Sequence, residues 1–148
     1  MPEREDVLRR LATELRRVVV GAVVYNHRMA ERLHLSPTDA QVLSLLELYG
    51  PMPAGRLAVL TRLTTGAITQ AVDRLEAAKY VQRHRDPADR RKVIVTPDET
   101  ALRDRVRPLF EPLAPALDRI HDRYGTDQLA VIADYLADLA AGRDTPDP

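Results

Sequence analysis

The sequence predicts a mainly α-helical protein carrying one small β-hairpin, and three stretches point that way. Between Arg4 and Leu33, Leu8, Leu11, Leu15, Val18, Ala22, Tyr25, Met29 and Leu33 recur at spacings of three and four, the period of a helix. Ile68, Val72 and Leu75 fall at i, i+4, i+7 and give a second helix one apolar face. Directly after it, Tyr80-Val81-Gln82-Arg83 and the β-branched Val93-Ile94-Val95 read as antiparallel strands. Arg85-Asp86-Pro87-Ala88-Asp89-Arg90-Arg91-Lys92 joins them, with Asp-Pro as the turn and cations at the tip. A helix followed by a basic hairpin is a winged helix-turn-helix, here with long outer helices suited to a helical dimerisation lobe.

The elements follow in order. In the first helix, predicted over Arg4 to Leu33, Val19, Val20, Val23 and Val24 widen the apolar arc beyond one stripe. A helix so apolar needs cover on more than one side, and a second subunit is the economical cover. Ser36-Pro37-Thr38-Asp39 starts the next helix: Ser36 caps, Pro37 suits the first turn, and Asp39 can reach back to the cap amide. Val42, Leu43, Leu45, Leu46 and Leu48 are its expected core face, and Tyr49-Gly50-Pro51 ends it. A short helix from Ala54 to Leu60 turns Leu57, Ala58 and Leu60 inward. Thr61-Arg62-Leu63 forms the turn, and Thr64 caps the recognition helix. After the hairpin, Asp98 caps a helix striped by Leu102, Val106, Leu109, Leu113, Leu117 and Ile120. Pro108, Pro112 and Pro115 each remove an amide donor, so this helix is expected kinked or broken. Thr126 caps the last helix (Leu129, Ile132, Leu136, Leu139), Gly142 closes it, and Asp144-Thr145-Pro146-Asp147-Pro148 should fray. One domain over 1–148 results, with a DNA-binding lobe at 36–97 and a discontinuous dimerisation lobe at 4–35 and 98–142.

Composition narrows the function. The chain has 148 residues, 45% hydrophobic, enough for one cored domain. Its net charge is zero, but from Val81 to Lys92 five cations (Arg83, Arg85, Arg90, Arg91, Lys92) stand against Asp86 and Asp89. A locally basic hairpin on a neutral protein fits site-specific binding of double-stranded DNA better than polycation behaviour. Absence of cysteine excludes disulfides, thiolate zinc sites and thiol redox sensing. No apolar run reaches the length of a membrane span, and the charged Met1-Pro2-Glu3-Arg4-Glu5-Asp6 is not a signal peptide, so a cytoplasmic protein with no membrane partner is expected. No phosphate-cradling glycine loop, Gly-x-Ser-x-Gly elbow or His-Glu-x-x-His pair is present. Neither an enzyme nor a cofactor is expected.

The exposed side of the recognition helix and the hairpin tip supply the candidate DNA contacts. Thr64 and Thr65 open the helix. Thr69 and Gln70 can meet base edges or phosphate, since Gln pairs bidentately with adenine and Thr meets a thymine methyl. Gly66 either lets the backbone approach a phosphate or is simply a small residue. Arg74 either contacts phosphate or satisfies Asp73 or Glu76. Arg90, Arg91 and Lys92 are the cationic tip, and such an arginine can enter a narrow minor groove. Asp86 and Asp89 are expected to hold the arginines and the turn, and Asp73 to pair with Arg74 or a wing arginine. The histidines are His27, His34, His84 and His121. His27 and Glu31 at i, i+4 are too little for a metal site, and no metal is expected.

The run Asp73-Arg74-Leu75-Glu76, Tyr80-Val81, Arg83, Asp86-Pro87-Ala88-Asp89-Arg90-Arg91 and Val93-Ile94-Val95 resembles the MarR family of transcriptional regulators, over nearly the whole chain. Its most specific part is the wing's Asp-x-Arg, here Asp89-Arg90-Arg91. Three positions depart from the family pattern: Lys79 and Arg62 stand where glycine is usual or frequent, and Pro97-Asp98 replaces a Leu-Thr after the wing. The resemblance implies a homodimeric repressor on a pseudo-palindromic operator, released by a small aromatic acid or phenol bound between the lobes. On that implication Arg16 would hold a carboxylate, with Tyr25, Asn26, His27 and Tyr49 around it; alternatively Arg16 snorkels or pairs with an acid. A ligand-independent activator, an architectural DNA binder and a winged-helix protein-interaction module remain the other readings.

Overall fold

The computed structural model describes Met1 and residues 3–143, and it follows the predicted order with a third strand added. The elements are α1 (Arg4–Leu33), α2 (Pro37–Tyr49), β1 (Met52–Pro53), α3 (Ala54–Thr61), α4 (Thr65–Ala77), β2 (Val81–Arg85) and β3 (Val93–Pro97). A broken helical run follows, α5 (Glu99–Ala101) to α6 (Ala114–His121), and then α7 (Thr126–Arg143). Two compact units result, one from Met1 to Leu102 and one beginning at Arg103.

In the first unit, α2, α3, α4 and the sheet close over one core. Ile68, Val72 and Leu75 are fully buried, as their spacing predicts, and they meet a core that includes Val42, Leu43, Leu46, Leu57, Tyr80 and Val95. Leu48 departs from its expected place and is 73% exposed. At about 100° per residue it lies nearly opposite the mean direction of Val42, Leu43 and Leu46. Leu45 and Leu60 are only half buried. β3 is central, antiparallel to β2 (Val81 opposite Pro97, Arg85 opposite Val93) and to the two-residue β1 (Met52 opposite Val95). Pro53 suits that edge, where a missing amide donor is tolerated.

The caps follow the sequence closely. The Ser36 hydroxyl accepts from the Asp39 amide at 3.1 Å, Thr64 from the Ala67 amide at 3.1 Å, and Asp98 from the Ala101 amide at 2.8 Å. Asp39 does not complete the reciprocal cap, because both its carboxylate oxygens face Arg74. α7 begins one residue earlier than expected: Thr126 is already helical, and the amide of the preceding Gly125 donates to Gln128 Oε1 at 2.9 Å. Gly142 lies inside α7, which continues to Arg143. The expected fraying of 144–148 lies outside the described residues.

Three helices end on a non-glycine residue in the left-handed region: His34 (φ 55°), Arg62 (φ 56°) and Lys79 (φ 61°). After α4 the Lys79 amide donates to Glu76 O at 3.0 Å and the Tyr80 amide to Leu75 O at 2.9 Å, the two bonds of a Schellman motif. The buried Tyr80 hydroxyl then donates to the Leu33 carbonyl at 3.2 Å, satisfying an acceptor at the end of α1. A Cβ in this backbone region costs about 1–2 kcal/mol, partly offset by the greater chain entropy that glycine loses. Lys79→Gly should therefore stabilise the fold by up to about 1 kcal/mol, read from the urea midpoint.

The proline-rich run breaks as expected. Asp98 starts α5, a π-turn occupies Leu102–Val106, and 3₁₀ turns fill Arg107–Leu109 and Glu111–Leu113 before α6. In the second unit, Ile120, Tyr124, Leu129, Ile132 and Leu136 line an apolar depression of about 560 Å³. No helix among the described residues is long and apolar enough to cross a membrane.

Candidate nucleic-acid interface

α4 divides cleanly into two sides. Ile68, Ala71, Val72 and Leu75 are buried, while Thr65, Gly66, Thr69, Gln70 and Asp73 are exposed. The Thr69 hydroxyl donates to the Thr65 carbonyl at 2.9 Å, so it meets an outside group as an acceptor and through its methyl. A Cβ built on Gly66 meets nothing within 4 Å, so no packing inside the protein requires glycine there. Thr64, the cap, is exposed as well.

The wing tip is held by its two acids through backbone amides. Asp86 Oδ1 accepts from the Ala88 amide at 2.8 Å and Asp89 Oδ1 from the Arg91 amide at 3.1 Å. The Asp86 amide donates to Lys92 O at 3.0 Å and the Lys92 amide to Asp89 O at 2.9 Å, closing the turn. Arg85 Nη1 braces the tip on the Arg90 carbonyl at 3.0 Å. The side chains of Arg90, Arg91 and Lys92 stay exposed. Arg85, Asp86, Pro87 and Arg90 line a shallow cavity of about 650 Å³ beside them.

Arg74 finds its partner far away in sequence. Neither Asp73 nor Glu76 holds it; Asp39 on α2 does, from Nε at 2.8 Å and Nη2 at 2.7 Å. The Asp39 side chain is 3% exposed and that of Arg74 52%. The hydrogen bonds it donates to Asp39 push the Arg74 guanidinium above its ordinary pKa despite partial desolvation. This fork ties α2, the helix before the helix-turn-helix pair, to the recognition helix and leaves the outer edge of Arg74 in water.

Of the hairpin arginines, Arg83 is the one that partners the acids of α4. Its Nη2 reaches Asp73 Oδ1 at 2.5 Å and its Nη1 reaches Glu76 Oε2 at 2.6 Å. Its backbone amide donates to Glu76 Oε1 at 3.1 Å. Burial works to lower the Arg83 pKa, but the hydrogen bonds to Asp73 and Glu76 outweigh it and the pKa is raised. Strand period carried the signal: Arg83 sits two residues from buried Val81 and so shares its inward face.

The residues named for a ligand are not gathered by one chain. Arg16 and Tyr25 lie nine positions apart on α1, about 13 Å along the axis and half a turn out of phase. Arg16, His27 and Tyr49 are exposed, and Tyr25 and Asn26 half buried. Asn26 Nδ2 donates to Pro37 O at 3.4 Å, and His27 Nδ1 bonds the Val23 carbonyl at 3.1 Å. Among the described residues, no group of three or more His, Asp or Glu is placed to hold a metal.

Known proteins match this arrangement. A MarR family sequence profile matches residues 34–92. The HTH-type transcriptional regulator YcgE of Bacillus subtilis is 37% identical over 134 residues, 90% of this chain and 86% of that protein. Among solved structures, the transcriptional regulator Tm0710 of Thermotoga maritima is 25% identical, with a TM-score of 0.65 over 90% of this chain and 93% of that one. A MarR family protein from Bacillus stearothermophilus shares the fold at 19% identity, with a TM-score of 0.70 over 97% of this chain and 100% of that one. Relatedness over nearly the full length, together with an exposed polar helix beside a cationic hairpin, shows that the chain belongs to the MarR family of DNA-binding transcriptional regulators, which are not enzymes.

Proposed function

We propose that the protein is a homodimeric repressor that occupies a pseudo-palindromic operator and leaves it when a small effector binds. The observation that carries this reading is that α4 turns Thr65, Thr69 and Gln70 outward in the same unit that exposes Arg90, Arg91 and Lys92 at the wing tip. α4 would lie in the major groove, with Gln70 and Thr69 at base edges and Thr64, Thr65 and Gly66 near phosphate. The wing arginines would enter the flanking minor groove.

Two features support a dimer. Val18, Val19, Val20, Val23 and Val24 on α1 are all exposed in the single chain, as are Leu117, Ile120, Ile132 and Leu136. So much apolar surface calls for cover, and a second copy is the partner that two-fold symmetry favours. Segments 4–35 and 98–142 would form that lobe and set the recognition helices roughly 34 Å apart. An aromatic acid or phenol held by Arg16, with Tyr25, Asn26, His27 and Tyr49 around it, would release DNA by favouring a dimer with a different helix spacing. Arg16 and Tyr25 would then come from different copies.

Selection of bound duplexes from a random pool tests the proposal. An inverted repeat with half-sites one helical turn apart is expected. A motif without symmetry would remove the dimer, and no motif at all would favour the protein-interaction reading.

A further inference from the structure

α4 carries two carboxylates, Asp73 and Glu76, on the exposed side of a helix proposed to enter a polyanion, at 59% and 42% side-chain exposure. Left alone, they would repel phosphate from the surface that must approach it. Arg83 answers both. One guanidinium spans Asp73 and Glu76, and its Nη2 also reaches the Thr69 carbonyl at 3.4 Å. Its own backbone amide fixes the other Glu76 oxygen. With 27% of its side chain exposed, Arg83 is largely covered, so little of its charge is offered to DNA.

The placement matters more than the charge. Arg83 stands on β2, the strand that runs directly into the wing tip, and its side chain grips α4 at Thr69, Asp73 and Glu76. One bond from each terminal nitrogen of a rigid planar fork, to a different carboxylate, sets both distance and angle, which an ammonium on a flexible stem does not do. Through Arg83 the wing strand and the recognition helix become one body, and the separation between the helix and the minor-groove arginines is fixed before DNA arrives. Pre-set geometry lowers the ordering cost of binding and penalises duplexes whose groove spacing differs.

We infer that Arg83 is a positioning residue for DNA readout, neutralising Asp73 and Glu76 and locking the wing to the recognition helix without itself gripping phosphate. The inference rests on the reading that α4 and the wing face the duplex.

The test measures affinity for the selected operator and for a scrambled duplex of the same composition, across a salt series. It uses the full chain and the variants Arg83→Met, Arg83→Lys, and Arg83→Met combined with Asp73→Asn and Glu76→Gln. Arg83→Met should lower the operator-to-scrambled affinity ratio by roughly tenfold or more, the scale of a mismatched base pair, with the salt slope unchanged. Removing both acids as well should restore affinity for the two duplexes together but leave the ratio low. Arg83→Lys keeps the charge and should also leave the ratio low, and it carries the test if Arg83→Met melts below the assay temperature. A wild-type ratio in Arg83→Lys or in the triple variant overturns the positioning role. So does a salt slope that falls by about one per protomer, the mark of a lost phosphate contact. Arg91→Ala run alongside separates the two levels. If it binds like wild type, the orientation of α4 and wing is wrong; if it weakens binding while the Arg83 variants keep the ratio, only the inference about Arg83 fails.

Discussion

Arg74→Ala should destabilise the fold by about 2 kcal/mol, more than Asp39→Asn, although the two residues share one ion pair. The asymmetry comes from burial. Asp39 is almost wholly enclosed and both its oxygens are met by Arg74. Removing the guanidinium leaves a nearly enclosed carboxylate without its counter-ion, whereas removing the carboxylate leaves an arginine already half in solvent and free to turn outward. A fully buried pair broken on one side costs about 3–5 kcal/mol. The exposure of Arg74 argues for less, because screening and relaxation soften the loss. The double variant Asp39→Asn/Arg74→Ala should recover much of the loss, since no uncompensated charge remains. Urea denaturation of the four proteins supplies the cycle. Equal costs for the two single changes would show that Asp39 is reached by water in solution.

Arg91→Ala should weaken operator binding by roughly tenfold to a hundredfold and flatten its salt dependence, with stability unchanged. The turn does not need the Arg91 side chain: within the tip, Arg91 contributes its backbone amide, to Asp89 Oδ1, and an alanine keeps that amide. The exposed guanidinium is therefore available to DNA, and in a dimer each substitution removes two contacts. The salt slope should fall by about two if each arginine neutralises one phosphate. Anisotropy titrations with the selected operator at several salt concentrations read both numbers. Binding that matches wild type at every salt concentration would take the wing out of the interface.

Much of this was legible from the chain because it depends on neighbours in sequence. Ser36, Thr64 and Asp98 cap the helices that follow them, since a cap needs only a side-chain oxygen within three residues of a free amide. The period of Ile68, Val72 and Leu75 assigned the buried side of α4, and with it the exposed side that carries Thr65, Thr69 and Gln70. Prolines at 108, 112 and 115 foretold a broken helix. Lys79 and Arg62 both adopt the left-handed conformation that makes glycine the usual choice at a helix end.

What the sequence left open lay across the fold. The same letters that make Asp39 look like a reciprocal cap also allow a buried counter-ion, and only the packing of α2 against α4 brings Arg74 to it from 35 positions away. Likewise Asp73 and Glu76 have a cation beside them at Arg74, yet the strand returning along α4 delivers Arg83 to both. β1 is two residues long, too short for any periodicity, and exists because β3 offers it an edge. Local hydrogen bonds and apolar period are written in contiguous residues and so determine elements and faces. The partner of a charge is whichever opposite charge the packed chain carries within reach, and that depends on every crossing angle in the unit.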